Sequence, residues 1–223
     1  MPVLAIVPTE GELDELVDAL ATGGLSIETG QAGRVGRQLV PAMGLVLAHG
    51  GLGKTQFGIQ TQYMLDQGQY SLVICAGAAG GLVDEVAVGD VVVATETVEH
   101  DIRKVGSEMV PRFPGDAAAL ARIRCTSFPE RFRVHLGGVA SGDEDIVSTE
   151  RRRACHRTTG AIAVAWEGAG GARACAFMGV PYLEIRGIAD QADERGPRDF
   201  MANLGRAMQN VASVLTVVSP PAF

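Results

Sequence analysis

Four short segments of this sequence place charged side chains or glycine at the end of a run that predicts a β-strand. They lie at residues 8–12, 76–82, 165–169 and 184–190. Open α/β sheets bind their ligands in the crevice outside the carboxyl ends of the strands. We therefore expect the four segments to meet in one ligand site, although each alone also fits a packing turn or a helix cap.

A fifth segment, residues 48–55, could bind phosphate, because it follows a predicted strand, opens a helix and ends in Gly-Lys-Thr. Phosphate-binding loops of NTPases end in the same way. However, Ala48 replaces the first glycine of that motif, and the next predicted strand ends without the aspartate that would hold Mg²⁺. We therefore favour a tight glycine turn beside a ligand, with Lys54 in solvent.

Sequence motifs for other chemistries are absent. The sequence contains no GxSxG elbow and no HExxH pair, and its four histidines are scattered at His49, His100, His135 and His156. A serine hydrolase or a metal enzyme is therefore disfavoured. We predict activity with no metal or organic cofactor.

The elements that must position these residues alternate between short β-branched runs and amphipathic stretches, which is typical of an α/β fold. Strands are predicted at residues 3–7, 44–48, 72–76, 90–95, 134–139, 162–166 and 182–188, and helices at 12–21, 54–65, 117–124, 168–178 and 198–217. The middle strands follow one another without clear helices. We predict a three-layer α/β/α sandwich with a twisted mixed sheet, formed by residues 1–223 as one domain.

Composition narrows the class of protein. The chain has 223 residues, is 47% hydrophobic and carries a net charge of −7, which excludes whole-chain disorder and disfavours general nucleic-acid binding. The four cysteines form no CxxC pair, as in a reduced protein. No basic residue precedes Arg34, and the longest apolar run, 72–83, falls short of the ~20 residues that span a bilayer. We expect a soluble, cytoplasmic protein with no membrane partner.

Seven collinear segments resemble the purine nucleosidase and nucleoside phosphorylase superfamily, most closely its 5′-methylthioadenosine/S-adenosylhomocysteine nucleosidase branch. They are Glu12 after the first strand, Gly-Leu-Gly-Lys at 51–54, Gly-Ala-Ala-Gly-Gly-Leu at 77–82, Val-Gly-Asp-Val-Val at 88–92, Ser-Gly-Asp at 141–143, Glu-Gly-Ala at 167–169 and Ile-Arg-Gly-Ile-Ala-Asp at 185–190. The resemblance covers nearly the whole chain. It implies a nucleoside phosphorylase-like fold, a homodimer and cleavage of a purine–ribose bond through an oxocarbenium-like transition state.

The resemblance also implies a role for each charged residue. Asp190 would give a proton to N7 of the purine, which requires a raised pKa. Glu167 would bind the ribose hydroxyls and oppose the positive charge of the sugar. Glu12 would activate the attacking water, with Arg186 holding that carboxylate and the water. The plain alternatives are a turn cap for Asp190 and helix-start acids for Glu12 and Glu167.

The charge pattern favours water over phosphate as the nucleophile. A phosphorylase must hold a dianion beside the anomeric carbon, whereas this chain places acids after its first strand. A phosphate-dependent phosphorylase remains an alternative, with Arg186 and the turn at 51–55 as its anion site.

The resemblance places the substrate-binding residues at Leu52, Ala78, Gly80, Phe113, Asp145, Ile146, Trp166 and Glu167. Three of them depart from the branch: Asp145 replaces an aromatic residue that stacks on adenine, Ala78 replaces a serine, and Trp166 replaces a methionine. Trp166 could supply the lost flat surface, and backbone groups of Ile146 could read the purine edge.

The irregular loop at 101–116, with Met109 and Phe113, would enclose the 5′ substituent, in part across a dimer interface; its alternative is a plain surface loop.

Two further readings stay open. The segment 184–188 also looks like the futalosine hydrolase branch, where asparagine typically matches Asp190; Asp190 instead favours a 6-aminopurine. The departures at Ala78 and Asp145 would also suit a nucleoside-binding protein that has lost catalysis. The prediction is a hydrolase that acts on a 5′-substituted, adenine-type nucleoside.

Overall fold

The computed structural model describes residues 1–102, 106 and 110–219. Its strands are β1 (Val3–Val7), β2 (Glu28–Ala32), β3 (Val35–Val40), β4 (Leu45–His49), β5 (Leu72–Gly81), β6 (Val91–Glu99), β7 (Arg112–Pro114), β8 (Val134–Ser141), β9 (Ala163–Ala165) and β10 (Tyr182–Asp190). Its α-helices are α1 (Glu10–Thr22), α2 (Gly53–Gln67), α3 (Ala117–Arg124), α4 (Thr149–Thr159), α5 (Gly168–Met178) and α6 (Gly196–Val218). The predicted strands and helices are all present.

The sheet is mixed, as predicted, and part of it closes on itself. β1 pairs in parallel with β4 and β5, and the antiparallel hairpin β2–β3 extends the sheet beyond β4. At the other side β5, β10, β6, β8 and β9 pair in succession, and β9 pairs back with β5. This ring brings the ends of strands far apart in sequence to one rim.

Helices cover both faces of the sheet, and the alternation of β1 shows the three layers. Val3, Ala5 and Val7 belong to a core cluster with apolar residues of α1, α3 and α6. The intervening Leu4 and Ile6 belong to a second cluster with residues of α2 and α5. Since successive strand residues face opposite sides, the sheet lies between two helical layers. This confirms the predicted α/β/α class.

Two strands extend further than predicted and include residues expected to follow them. β5 continues through Gly81 and β10 through Asp190. Small residues are needed inside β5 because the ring brings other side chains close: a Cβ on Gly77 would lie 2.7 Å from Arg186 Nη1 and 2.8 Å from Glu12 Oε1. The hairpin β2–β3 was not predicted, because β2 is polar and largely exposed and β3 is only partly apolar and mostly half-buried.

Within the residues that the structure describes, no helix combines the length and apolar character needed to cross a membrane.

Candidate active site

A cavity of about 460 Å³ opens at the carboxyl ends of β1, β5, β9 and β10. It is lined by Pro8, Thr9, Glu12, Leu52, Ala78, Ala79, Gly80, Glu144, Asp145, Ile146, Val147, Val164, Ala165, Trp166, Glu167, Asp190, Ala192, Gly196, Pro197, Phe200 and Met201. All four segments singled out in the sequence contribute to this lining. The volume lies in the usual range for small-molecule sites.

Glu12 lines the cavity and accepts hydrogen bonds from three donors. Thr9 caps α1 in a capping box, in which Thr9 N donates to Glu12 Oε2 at 3.0 Å and Glu12 N donates to Thr9 Oγ1 at 3.2 Å. Thr9 Oγ1 also donates to Glu12 Oε2 at 2.7 Å. Ala78 N donates to Oε1 at 2.7 Å. Burial raises the pKa of Glu12, and the bond from Ala78 and the charge of Arg186 oppose the rise. The helix-start role and a chemical role therefore coexist in one carboxylate, which is positioned to take up a proton.

Glu167 immediately precedes α5, but its side chain does not cap that helix. Its Oε1 accepts a hydrogen bond from Gly53 N at 3.4 Å, and its Oε2 accepts one from Arg186 Nη2 at 3.2 Å. The residues on either side are fixed by Ser141, whose Oγ donates to Trp166 O at 2.7 Å and accepts from Ala169 N at 2.9 Å. A buried carboxylate in this setting can bind hydroxyl groups and oppose a cation.

Asp190 ends β10 on another wall of the cavity. Its Oδ1 accepts a hydrogen bond from Ala192 N at 2.7 Å, and Ala192 adopts φ 49°, an uncommon conformation for a residue with a side chain. Within the described part of the chain, Oδ2 accepts no hydrogen bond. Burial raises the pKa of Asp190, and the charges of Asp193, Asp199 and Asp145 raise it further, against the bond from Ala192. This carboxyl group is suited to donate a proton. It also caps its turn.

The apolar walls include most of the residues that the sequence predicted to bind substrate. Leu52, Ala78, Gly80, Ile146 and Trp166 all line the cavity, as does Asp145. Because Gly80 has no side chain, it leaves room for the carboxyl group of Asp190: a Cβ at position 80 would lie 2.9 Å from Asp190 Oδ1.

Arg186 occupies a different place from the one predicted. It is fully buried behind Glu167 and does not line the cavity. Its guanidinium donates to Glu184, Glu167, Ala78 O and Cys75, whereas the prediction had it hold Glu12 and a water. It acts on Glu12 only through its charge. The reason is the alternation of β10, which turns Arg186 to the same side as Glu184.

Phe113 is also absent from this cavity. Its ring lies 5.4 Å from the guanidinium carbon of Arg173 on α5, and it packs against the cluster under α2 and α5. No described residue of the predicted loop at 101–116 lines the cavity. Met109, assigned to the same loop, lies outside the described residues.

Lys54 is paired, which corrects the expectation of a solvated lysine. Its Nζ donates to Glu99 Oε1 at 3.0 Å and to Asp101 Oδ1 at 2.5 Å, and its backbone N donates to Asp143 Oδ1 at 2.8 Å. The amine therefore points away from the cavity into an acidic cluster. This pairing gives no support to a phosphate-binding role.

Sequence reasoning missed two contributions. Pro197, Phe200 and Met201, at the start of α6, line the cavity; the apolar periodicity of that helix is visible in the sequence, but the face it presents is not. Glu184, buried beside Arg186, was quoted in a motif without a role. Its spacing of two from an arginine inside an apolar strand was the available signal.

Across the described ranges, no group of three or more His, Cys, Asp or Glu side chains is arranged to hold a metal ion.

The fold and this cavity define an α/β protein with a small-molecule site built on buried carboxylates. The chain belongs to the phosphorylase superfamily, whose family model matches residues 2–218. It is 32% identical over 188 residues to a 5′-methylthioadenosine/S-adenosylhomocysteine nucleosidase of an Exiguobacterium species, covering 79% of this chain and 80% of that protein.

Solved structures agree. The same-named nucleosidase of Neisseria meningitidis, in complex with methylthio-immucillin-A, is 28% identical with a TM-score of 0.81, covering 97% of each chain. Futalosine hydrolase of Helicobacter pylori has a TM-score of 0.86 at 24% identity, covering 98% of this chain and 97% of that one, which shows the shared fold alone.

Proposed function

We propose that this protein hydrolyses the N-glycosidic bond of a 5′-substituted, adenine-type nucleoside, releasing the free base and a ribose derivative. One observation carries the proposal: Glu12, Glu167 and Asp190 line one cavity to which no described Lys, Arg or His side chain contributes. Such a site stabilises a cationic sugar and a base that must accept a proton. The names of the relatives and of the Neisseria structure support the same substrate class.

The mechanism assigns one role each to Asp190, Glu167 and Glu12. Asp190 gives its proton to N7 of the base, so that the electron pair of the breaking C1′–N9 bond moves into a neutral leaving group. Glu167 accepts hydrogen bonds from the ribose hydroxyls and opposes the charge that develops on the sugar. Glu12 takes a proton from a water molecule as its oxygen bonds to C1′. Arg186 positions Glu167 from behind and does not touch the substrate.

The same cavity favours water over phosphate. A phosphate dianion beside C1′ would face the buried carboxylates of Glu12 and Glu167, with the nearby guanidinium of Arg186 already paired with Glu167 and Glu184. Like charges that lie close together repel strongly in a site of low dielectric. A phosphorylase would need basic side chains in this lining.

The test is release of base by the purified protein, followed chromatographically, from methylthioadenosine, adenosylhomocysteine, adenosine, inosine and futalosine, each with and without phosphate. We expect adenine from the 5′-thio substrates at a rate that phosphate leaves unchanged. The Asp190→Asn variant should lose this activity, and Asp18→Asn, which alters an exposed acid on α1 outside the cavity, should keep it. Strict dependence on phosphate would contradict the hydrolase, and preferential cleavage of futalosine would contradict the substrate class.

The assembly we propose is a homodimer formed through the face of α2 and α5. These helices pack together and expose Ile59 and Phe177, with 60% and 83% of their surfaces accessible. Phe113 lies beside α5, so it would reach a cavity only across such an interface. Light scattering after gel filtration should give a dimer, and Phe177→Asp should give a monomer; a monomeric wild-type protein would exclude this assembly.

A further inference from the structure

Glu184 is a completely buried carboxylate with no part in the mechanism above. It lies on β10, is 0% exposed and does not line the cavity. Thr97 Oγ1 on β6 donates to Glu184 Oε2 at 2.5 Å, and Arg186 Nε donates to Oε1 at 2.8 Å. Burying a charged group is costly unless partners compensate for the lost hydration. The presence of Glu184 at this buried position therefore needs an explanation.

The carboxylate of Glu184 also lies directly under the residue that follows Glu167. A Cβ on Gly168 would be 2.2 Å from Glu184 Oε2 and 2.4 Å from Oε1, so only glycine fits there. Tyr182, on the same strand, donates from its hydroxyl to Gly168 O at 2.8 Å. Glu184 therefore reaches Glu167 in two ways: through Arg186 and through the start of α5.

The charges of this cluster do not cancel. Arg186 forms ion pairs with both Glu184, at 2.8 Å, and Glu167, at 3.2 Å. Burial raises the pKa of Glu184, while the charge of Arg186 and the bonds from Thr97 and Arg186 act against the rise. Thr97 Oγ1 and Arg186 Nε donate to its two oxygens, which favours the carboxylate form of Glu184 against this rise. One guanidinium then serves two carboxylates, which leaves a net negative charge next to the cavity.

We propose that Glu184 is a positioning residue, which holds Arg186 against Glu167 and keeps that guanidinium from fully neutralising the carboxylate facing the sugar. This inference rests on the glycosidase function proposed above. It predicts that Glu184 acts on the charged transition state rather than on binding of the neutral substrate, since the surplus negative charge is useful only when the sugar becomes cationic.

The matched variant is Glu184→Gln, which keeps the size of the side chain and can still accept from Arg186 Nε, but removes the charge. We expect kcat to fall about 10- to 100-fold while KM changes by less than about threefold. Glu184→Asp, which keeps the charge on a shorter arm, should fall between this variant and the wild type. Thr61→Val removes a buried hydroxyl on α2 that bonds Phe57 O and controls for a general loss of packing. Thermal unfolding of each variant checks that it is folded.

A binding measurement separates the charge role from a structural one. Calorimetry with a cationic iminoribitol analogue of the nucleoside and with a neutral, carbon-linked analogue gives a ratio of affinities. We expect Glu184→Gln to lower this ratio about tenfold and Thr61→Val to leave it unchanged. Equal loss of affinity for both analogues, or an unchanged ratio and kcat in a folded Glu184→Gln protein, would overturn the proposal.

This design also distinguishes the two proposals. A wild-type protein that releases no base contradicts the glycosidase function, yet the ratio of affinities still tests the charge of Glu184. A wild-type protein that turns over normally while Glu184→Gln matches it contradicts only the role of Glu184. Binding of neither analogue by the wild type would overturn both.

Discussion

Asp90 and Asp190 are two aspartates with similarly small exposed fractions, 6% and 9%, in opposite chemical settings. Asp90, just before β6, accepts from Arg133 N at 2.9 Å and Ala87 N at 3.1 Å, and lies 2.8 Å from His135 Nε2. Burial alone would raise the pKa of Asp90, but these hydrogen bonds outweigh it and lower the pKa. Asp190 has one backbone donor and three acidic neighbours, and its pKa is raised.

The comparison shows how the surroundings of an aspartate make it either a structural or a reactive group. At Asp90 the hydrogen-bond donors outweigh the effect of burial, so this carboxylate is held in its charged form and joins the turn at Ala87 to Arg133. A carboxylate with an oxygen facing a cavity, surrounded by like charges, retains its proton more readily. Both side chains have small exposed fractions, but Asp190 lies deeper in the protein, so burial of its charge, its few donors and the like charges of its neighbours together raise its pKa.

The largest expected effect separates the two residues by activity. Asp190→Asn should lower kcat about 10²- to 10⁴-fold, because asparagine has no acidic proton to give the base. Asp90→Asn, outside the cavity, should change kcat by less than about threefold. Steady-state release of adenine measures both. Similar losses in the two variants would mean that burial, and not the setting of the cavity, determines the role.

Glu12 sharpens the comparison, because it combines three donors, like Asp90, with a raised pKa, like Asp190. Glu12→Gln should lower kcat about 10²-fold, since the amide cannot take a proton from water while its oxygen can still accept from Ala78 N. Comparison of kcat with the affinity for a substrate analogue separates catalysis from binding. Full activity in the folded variant would assign Glu12 to the capping of α1 alone.

The third prediction concerns stability, on which substitution of Asp90 has the larger effect. Asp90→Ala should lower the free energy of unfolding by about 1–3 kcal/mol, because it leaves buried backbone donors without a partner. Asp190→Asn should unfold at equal or higher urea concentration than the wild type near neutral pH, since the neutral amide avoids the burial of a charge. A destabilised Asp190→Asn protein would show that Asp190 serves the fold as Asp90 does.

The smallest effect is in the pH dependence of stability, and its sign differs between the two aspartates. The lowered pKa of Asp90 contributes stability that is present above the ordinary pKa of aspartate and is lost as the pH falls through the folded-state value. The raised pKa of Asp190 contributes stability at low pH that is lost as the pH rises through its folded-state value.

Urea unfolding across the acidic range, with each aspartate replaced by asparagine, measures both contributions. Asp90→Asn should flatten the loss of stability at the acid end, and Asp190→Asn should flatten the loss on raising the pH. If both substitutions flattened the plot of stability against pH at the same end, the opposite pKa shifts of the two aspartates would be contradicted.

Much of the fold could be predicted from the sequence. The bounds of α3 and α5 match the prediction residue for residue, because the apolar periodicity and the flanking glycines or acids are local signals. The segments that carry Glu12, Glu167 and Asp190 were expected to meet because strands in an open sheet end at one edge, and the family resemblance singled out these three carboxylates. The closed ring was not predicted, since pairing of β9 with both β5 and β8 depends on contacts between distant segments.

The sequence by itself determined the order of strands and helices, the acids at the strand ends and the family resemblance, because these depend on residue type and spacing along the chain. Only the tertiary structure decided that Arg186 serves Glu167 and Glu184, that Phe113 lies outside the cavity, and that Asp90 and Asp190 differ in proton affinity. Those properties depend on which donors and charges meet in space, and closure of the ring pairs residues as distant in the sequence as Val73 and Tyr182.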